Sequence, residues 1–163
     1  MRPLVLPGSF DPFTRGHLDL ARRAAALADQ LIIAVSHNPN KQGLLDLETR
    51  CTAIDRTLEQ EGLTDRVRTE VLSGGLLVDF CREHGAQAVV RGIRTQVDLS
   101  YEEPMTRMNH HLAGIDTVFL LTHSTLSHIS SSLVREVAKL GGDVSDMLPA
   151  ASASALREAL TTR

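Results

Sequence analysis

The sequence predicts an α/β protein, a single doubly wound domain over residues 1–163 with a mostly parallel sheet of about five strands. Short β-rich runs alternate with longer amphipathic runs, which is the pattern of successive βαβ units. The β-rich runs are almost continuously apolar, as in residues 31–35, and this indicates strands covered by helices on both faces of the sheet. No repeat, low-complexity tract or linker divides the chain.

Each predicted strand is a short run of apolar residues that stops at a polar stretch or a turn signal. The first ends at Pro7-Gly8, and the second leads into the polar stretch from His37 to Lys41. The fourth runs directly into the segment from Arg91 to Arg94. The five predicted strands are residues 3–6, 31–35, 66–72, 88–90 and 117–121.

The predicted helices carry apolar residues at helical spacing and are bounded by capping or breaking residues. The first begins at Thr14, whose hydroxyl can cap it, and places Leu18, Ala21 and Ala25 on one face. Glycine closes several of the others. The six predicted helices are residues 14–28, 47–61, 76–84, 98–113, 130–140 and 150–160.

Pro104 conflicts with the fourth of these helices, because a proline in a helix interior costs about 3 kcal/mol. Two outcomes are open. Either the helix begins near residues 101–103, so that Pro104 falls in its first turn, or the helix kinks at Pro104. The position of Glu102, two residues earlier, depends on which of the two occurs.

The composition argues against several classes of protein. A formal net charge of −3, with one Tyr, four Phe and no Trp, supplies neither a basic field nor a base-stacking platform for nucleic acid. No apolar run is long enough to span a membrane or to form a signal peptide. Cys51 and Cys81 form no CxxC pair and are expected to be reduced thiols in a cytoplasmic protein. The seven histidines lack the spacing of a zinc site, so no protein-held metal is predicted.

In a doubly wound sheet, ligands bind where the carboxyl ends of the strands meet, so the residues after each strand are the first candidates for chemistry. The first strand is followed by a turn from Gly8 to His17 that is neither GxGxxG nor a phosphate loop of the GxxxxGK[ST] type. It feeds a helix N-terminus, where backbone N–H groups and the helix dipole favour an anion. Two interpretations are open, an anion site with His17 as donor or a plain strand-to-helix turn with a surface histidine.

Basic or hydroxyl groups follow three further strands. Each has a structural alternative: Lys41 a solvated surface lysine, Arg91 and Arg94 surface ion pairs, and Ser130 to Ser132 helix capping. Two guanidinium groups at one strand end can also clamp a phosphate. Because anion-binding groups recur at most of the strand ends, the sequence predicts a polyphosphate ligand.

With these residues assembled, the chain resembles the bacterial phosphopantetheine adenylyltransferase family, whose nucleotidyltransferase superfamily has a T/HxGH signature. Here the signature is Thr14-Arg15-Gly16-His17, and the resemblance spans nearly the whole chain. The further matching segments are Asn38-Pro39-Asn40-Lys41, Leu47-Glu48-Thr49-Arg50, Arg91-Gly92-Ile93-Arg94 with Asp98, Tyr101-Glu102 and Met108-Asn109, Ile129 to Glu136 (ISSSLVRE), Gly142-Asp143-Val144 and Leu148-Pro149.

The resemblance implies that ATP and 4′-phosphopantetheine react to give dephospho-coenzyme A and pyrophosphate, with Mg²⁺ arriving on the nucleotide. It assigns the acceptor phosphate to Ser9 and Arg91, bridging of the two reacting phosphates to Lys41, and donation to the α-phosphate in the transition state to His17. Leu77 falls where the family lines the pantetheine arm.

By the same resemblance a larger set holds ATP, with Arg94 on its outer phosphates. The set is Ser9, Phe10, His17, Gly92, Ile93, Arg94, Glu102, Leu126, Ser127, His128, Ile129, Ser130, Ser131 and Ser132. The family also implies a homohexamer and feedback inhibition by coenzyme A, with no nucleic-acid or membrane partner. The chain departs from the family at Ser9, where Thr is commoner, and at Leu126 and His128, which replace frequently aromatic residues.

Two other hypotheses remain beside this one. A nucleotidyltransferase of the same superfamily could act on nicotinamide mononucleotide or a polyol phosphate, although the segment from Arg91 to Asn109 argues against it. A non-catalytic nucleotide or coenzyme A sensor could retain the pocket. Such a sensor would have no need of a transition-state donor such as His17.

Overall fold

The computed structural model describes residues 3–37 and 43–162. Its five strands form one sheet in the order β3-β2-β1-β4-β5, and every pairing among them is parallel. The strands are β1 (Leu4–Gly8), β2 (Leu31–Ser36), β3 (Val67–Leu72), β4 (Ala88–Ile93) and β5 (Asp116–Leu121). The predicted α/β fold with a five-stranded parallel sheet is confirmed.

The helices lie between and after these strands in the predicted order. They are α1 (Arg15–Ala25), α2 (Leu47–Gln60), α3 (Leu77–Glu83), α4 (Gln96–Ala113), α5 (Ser131–Lys139) and α6 (Ala150–Thr161). Side-chain caps start four of them: Thr14, Asp46, Thr95 and Ser130 each accept a hydrogen bond from the backbone N–H three residues on. These caps give the chain fixed turns immediately before α1 and α5.

Helices cover both faces of the sheet because alternate residues of each strand point to opposite sides. Leu4 and Leu6 of β1 belong to the core cluster with α1 and α2, whereas Val5 packs in the second cluster with α3. This two-sided burial explains the continuous apolar runs in the sequence. A third cluster joins α5 and α6 around Val134 and Leu156.

The order of the strands reverses between β1 and β4. From β1 the chain builds outward through β2 to β3, and it then returns to the other side of β1 to place β4 and β5. The carboxyl ends of β1 and β4 therefore border a crevice at the switch point, which is the usual ligand site of such sheets.

Two boundaries near the predicted site differ from the prediction. β4 extends to Ile93, so Arg91, Gly92 and Ile93 lie in the strand and only Arg94 follows it. α4 starts at Gln96 because Thr95 and Asp98 form a capping box.

Pro104 lies in the interior of α4, so the alternative in which the helix begins near residues 101–103 is wrong. Its ring has no N–H to donate to the carbonyl of Ser100. The helix tolerates this loss at an exposed position, since Asn109 is its one buried residue.

The two cysteines are free thiols. Cys51 is half-buried and Cys81, on α3, is buried in the core, where burial raises the pKa of Cys81 to about 11. Both groups are therefore thiols rather than thiolates at neutral pH. Separately, none of the helices in the described residues is both long enough and apolar enough to cross a bilayer.

Candidate active site

A cavity of about 330 Å³ opens at the switch point between β1 and β4. It is bounded by the ends of these strands, the first turn of α1 and the N-terminus of α5. Its lining includes these predicted site residues: Phe10, His17, Arg91, Gly92, Arg94, Glu102, Ile129, Ser130, Ser131 and Ser132. The tertiary structure thus brings together residues that are up to 122 positions apart in the sequence (10 to 132).

The other predicted site residues that the structure describes do not line this cavity. Ser9 is exposed at the end of β1, beside β2, and Leu77 opens α3. Ile93 is buried in β4, and residues 126–128 form the turn that precedes α5. Lys41 lies outside the described residues.

His17 is oriented by the cap of its own helix. The backbone N–H of Thr14 donates to Nδ1 of His17 at 3.0 Å, and the backbone N–H of His17 donates to the Thr14 hydroxyl at 3.3 Å. Because Nδ1 accepts this hydrogen bond, the proton of the neutral ring sits on Nε2. Burial, reinforced by the Arg94 charge, lowers the pKa of His17 to about 4. At neutral pH the ring is therefore uncharged and offers Nε2–H as a donor.

Two aromatic rings enclose the imidazole. The Phe10 ring meets it edge-on with centroids 5.1 Å apart, and the Phe13 ring lies 5.6 Å away. Phe10 adopts a left-handed backbone with φ of 49°, which is unusual for a bulky residue and marks a constrained turn. Gly8 makes room for the ring, since a Cβ at that position would lie 2.9 Å from it. The turn after β1 thus fixes the imidazole by packing as well as by hydrogen bonds.

Arg91 is held between two strands and a helix. Its Nη1 donates to the Pro7 carbonyl at 3.0 Å, and its Nε lies 3.1 Å from the Glu102 carboxylate. Both side chains line the cavity. Glu102 therefore reaches the site although Pro104 lies in the same helix.

Arg94 is fixed by Asp98, one turn further on. Its Nε and Nη2 contact the two carboxylate oxygens at 3.1 and 3.2 Å, and its backbone N–H donates to the same carboxylate at 2.9 Å. Burial acts to raise the pKa of Asp98, but the hydrogen bonds and charge of Arg94 outweigh it and hold that pKa below its usual value. The pair keeps the Arg94 guanidinium at the cavity wall.

Two of the three serines at the start of α5 have separate structural roles. The Ser130 hydroxyl caps the helix by accepting from the N–H of Leu133 at 3.2 Å. The Ser131 hydroxyl donates to the Pro12 carbonyl at 2.8 Å and ties α5 to the turn after β1. Helix capping accounts for the hydroxyl of Ser130. The N-terminus of α5 also faces the cavity, where its backbone N–H groups and dipole favour an anion.

The side chains that hold this turn in place were not predicted from the sequence. The Asp11 carboxylate is buried and accepts from the backbone N–H groups of Leu44 and Leu45, both at 2.9 Å. Arg135 of α5 donates to the Asp11 carbonyl, and its Nη1 lies 3.8 Å from the Asp11 carboxylate. We call these contacts the Asp11 clamp. They join partners 33 to 124 residues apart, so no local pattern in the sequence predicts them.

The charges of the site favour a polyanion. Two guanidinium groups, a helix N-terminus and a neutral imidazole donor face one cavity, and among the described residues that line it Glu102 is the one carboxylate. Such fixed donors stabilise charge that develops on phosphate oxygens, because they need no reorganisation during the reaction.

Comparisons with known proteins identify the family. Residues 5–137 match the family described as Cytidylyltransferase-like. The chain is 51% identical over 155 residues to the phosphopantetheine adenylyltransferase of Clavibacter michiganensis, and the match covers 95% of each chain. The chain belongs to the phosphopantetheine adenylyltransferases.

A second member of the phosphopantetheine adenylyltransferases, from Streptomyces coelicolor, is 45% identical over the full length of both chains. A solved structure from Vibrio parahaemolyticus, described as a nicotinate-nucleotide adenylyltransferase, superposes with a TM-score of 0.70 over 98% of this chain and 95% of its own. At 18% identity that likeness shows the fold alone. The predicted family is thus confirmed, and membership of the phosphopantetheine adenylyltransferases makes the chain a nucleotidyltransferase enzyme.

Proposed function

We propose that this chain transfers the adenylyl group of ATP to 4′-phosphopantetheine and releases dephospho-coenzyme A and pyrophosphate. The observation that carries the proposal is the convergence of His17, Arg91, Arg94 and the N-terminus of α5 on one cavity at the switch point. The relatives that share about half of its residues over nearly the whole chain bear the name of this activity.

The acceptor needs no strong general base. A phosphate monoester has a second pKa of about 6 and is largely dianionic at neutral pH. His17 is a poor base in any case, because its pKa is about 4 and its Nδ1 is occupied by the Thr14 N–H. The imidazole therefore serves as a hydrogen-bond donor.

The reaction is an in-line displacement without a covalent enzyme intermediate. An oxygen of the acceptor phosphate attacks the α-phosphorus of ATP, and the bond from that phosphorus to the bridging oxygen breaks as pyrophosphate leaves. Negative charge increases on the α-phosphate, where Nε2–H of His17 donates. Arg91 and Arg94 balance the charge of the two reacting anions, so positioning and electrostatics supply the rate.

The remaining residues divide between the two substrates. Ser9 and Arg91 would bind the acceptor phosphate, Lys41 would bridge the two reacting phosphates, and Leu77 would line the pantetheine arm. The ATP side comprises Phe10, residues 92–94, Glu102 and residues 126–132. ATP would enter as its Mg²⁺ complex, and the hydroxyl and carboxylate oxygens of the cavity suit a cation held chiefly by phosphates.

The test is an assay of the purified chain with ATP and Mg²⁺, in which pyrophosphate release is measured with 4′-phosphopantetheine, nicotinamide mononucleotide and glycerol 3-phosphate as alternative acceptors. We expect pyrophosphate release when 4′-phosphopantetheine is the acceptor and none with the other two acceptors. Dephospho-coenzyme A is the expected second product. Release with another acceptor would support a different nucleotidyltransferase. Binding of ATP without release from any acceptor would support the sensor.

The proposed reaction also implies an inhibitor and a cellular location for the enzyme. Coenzyme A contains both the pantetheine arm and the adenylate of the product, so it fits the joined substrate site and would act as a competing feedback inhibitor. The enzyme would work in the cytoplasm on these metabolites, as a single nucleotidyltransferase domain.

The exposed apolar residues of α4 support a homo-oligomer, for which the family resemblance implies a hexamer. Its apolar residues at positions 97, 101, 105, 108 and 112 follow helical spacing and are 44 to 81% exposed. We call this set the α4 stripe. A contiguous apolar stripe on a helix is typical of a surface that a second copy covers.

The Tyr101→Lys and Met105→Lys double variant is expected to dissociate the oligomer, because it places two charges on the α4 stripe. Light scattering after size-exclusion chromatography measures the change in mass. Leu140→Lys, an exposed leucine outside the stripe, is the matched control and should leave the mass unchanged. A monomeric wild-type chain would contradict the proposal.

A further inference from the structure

A buried arginine lies beneath the ends of β1 and β2, where it contacts Ser9, which stands between the cavity-lining residues Gly8 and Phe10. Arg50 of α2 is only 7% exposed. Its Nη1 donates to the carbonyls of Ser9 at 2.7 Å and Ser36 at 3.1 Å, and its Nε donates to the Asp46 carbonyl at 3.3 Å. Within residues 3–37 and 43–162, no carboxylate lies at ion-pair distance from Arg50.

A buried cation that contacts only neutral carbonyls is costly unless an anion comes close. The exposed Asp46 carboxylate is only a partial counter-charge. Its hydrogen bond from the Thr49 N–H, and to a smaller extent the Arg50 charge, lowers its pKa, but it does not form an ion pair with Arg50. The Arg50 charge therefore favours a negatively charged ligand near the ends of β1 and β2.

The same contacts set the distance between two hydroxyl groups. Arg50 bridges the main chains of Ser9 and Ser36, and the two Oγ atoms lie 3.5 Å apart. Ser36 is the last residue of β2, and its pairing with Leu72 of β3 fixes its backbone. Two donors at this separation can both reach oxygens of one phosphate group.

We propose that the Ser36 hydroxyl binds the phosphate of the acceptor together with Ser9, and that Arg50 is the positioning residue that holds the pair. This inference rests on the proposed function, which assigns the acceptor phosphate to Ser9. Arg50 does not touch the substrate. It acts through the two carbonyls that it bridges and through its charge.

The first experiment compares Ser36→Ala and Ser36→Thr with the wild type in steady-state assays that vary phosphopantetheine and ATP separately. Loss of one hydrogen bond to a charged group is expected to raise the KM for phosphopantetheine about tenfold with little change in the KM for ATP. Ser36→Thr keeps a hydroxyl and should restore most of the affinity. Ser154→Ala, on α6, is the matched control and should leave both KM values unchanged.

The positioning role of Arg50 is tested with the conservative variant Arg50→Lys. Lysine keeps the charge but lacks the rigid guanidinium that bridges two carbonyls. Arg50→Lys is expected to raise the KM for phosphopantetheine and not that for ATP. If Arg50 acts by placing Ser36, the effects of Arg50→Lys and Ser36→Ala in the double variant will be smaller than additive. Fully additive effects would overturn the positioning role.

The outcomes separate this inference from the proposed function. An active wild-type enzyme whose Ser36→Ala variant keeps the wild-type KM for phosphopantetheine would overturn the assignment of Ser36 alone. A wild-type chain that makes no dephospho-coenzyme A would overturn the proposed function, and the role of Ser36 with it.

Discussion

Replacement of His17 by alanine is expected to lower kcat for adenylyl transfer by about 10²–10³-fold or more, the usual effect of removing one donor that stabilises transition-state charge. The reason is the fixed tautomer: Thr14 occupies Nδ1, so Nε2–H is the group left to donate to the α-phosphate. The binding of ATP should change far less than kcat. Steady-state kinetics and equilibrium binding of ATP measure the two effects.

The matched variant is His17→Gln. A glutamine at this position of the helix can accept the N–H of Thr14 and preserve the capping box, so it should retain more stability than alanine. It cannot place a donor where Nε2 lies, and kcat should stay low. His111→Ala, at an exposed position outside the cavity, controls for general effects. Near-normal turnover in both His17 variants would remove this residue from the mechanism.

The second large effect is expected at Asp11. Replacement by alanine leaves the buried N–H groups of Leu44 and Leu45 without an acceptor and deprives Arg135 of its nearby carboxylate. Each unsatisfied buried donor costs about 1–3 kcal/mol, so we expect the free energy of unfolding to fall by about 3 kcal/mol or more. Urea unfolding followed by circular dichroism measures it.

Activity should fall with stability in Asp11→Ala, because the Asp11 clamp also anchors the chain just after Lys41 and just before His17. Asp11→Asn keeps one acceptor oxygen and should lie between the wild type and alanine. Asp146→Ala, an exposed aspartate near the C-terminal helices, should change stability by no more than about 0.5 kcal/mol. Wild-type stability in Asp11→Ala would show that the clamp contributes little.

Local patterns were sufficient to predict the architecture. A continuous apolar run such as residues 31–35 can be buried on both sides only in a sheet that helices cover on both faces. Thr14 and Ser130 indicate helix starts, because each side chain accepts a hydrogen bond from the backbone N–H three residues on. The sequence also predicted Arg91, Arg94 and His17 as partners in one site, because the carboxyl ends of parallel strands share one edge.

Local patterns failed where two influences compete or where partners are distant. Pro104 lies inside α4 although proline has a very low helix propensity. The capping box at Thr95 starts the helix two turns earlier, and the position of Pro104 is exposed. Arg50 ends one of the segments that resemble the family, but no local pattern predicts how Arg50 and Ser36 act. Their partners come from other strands, and only the packing of α2 under the sheet brings them together.

The sequence by itself therefore determined the order of strands and helices along the chain, the caps at Thr14 and Ser130, and the edge of the sheet where an anion site is predicted, since each depends on residues a few positions apart. The tertiary structure decided the low pKa of His17, the Asp11 clamp and the buried Arg50. Those features depend on burial and on hydrogen bonds between distant segments, and both exist only once the chain has packed.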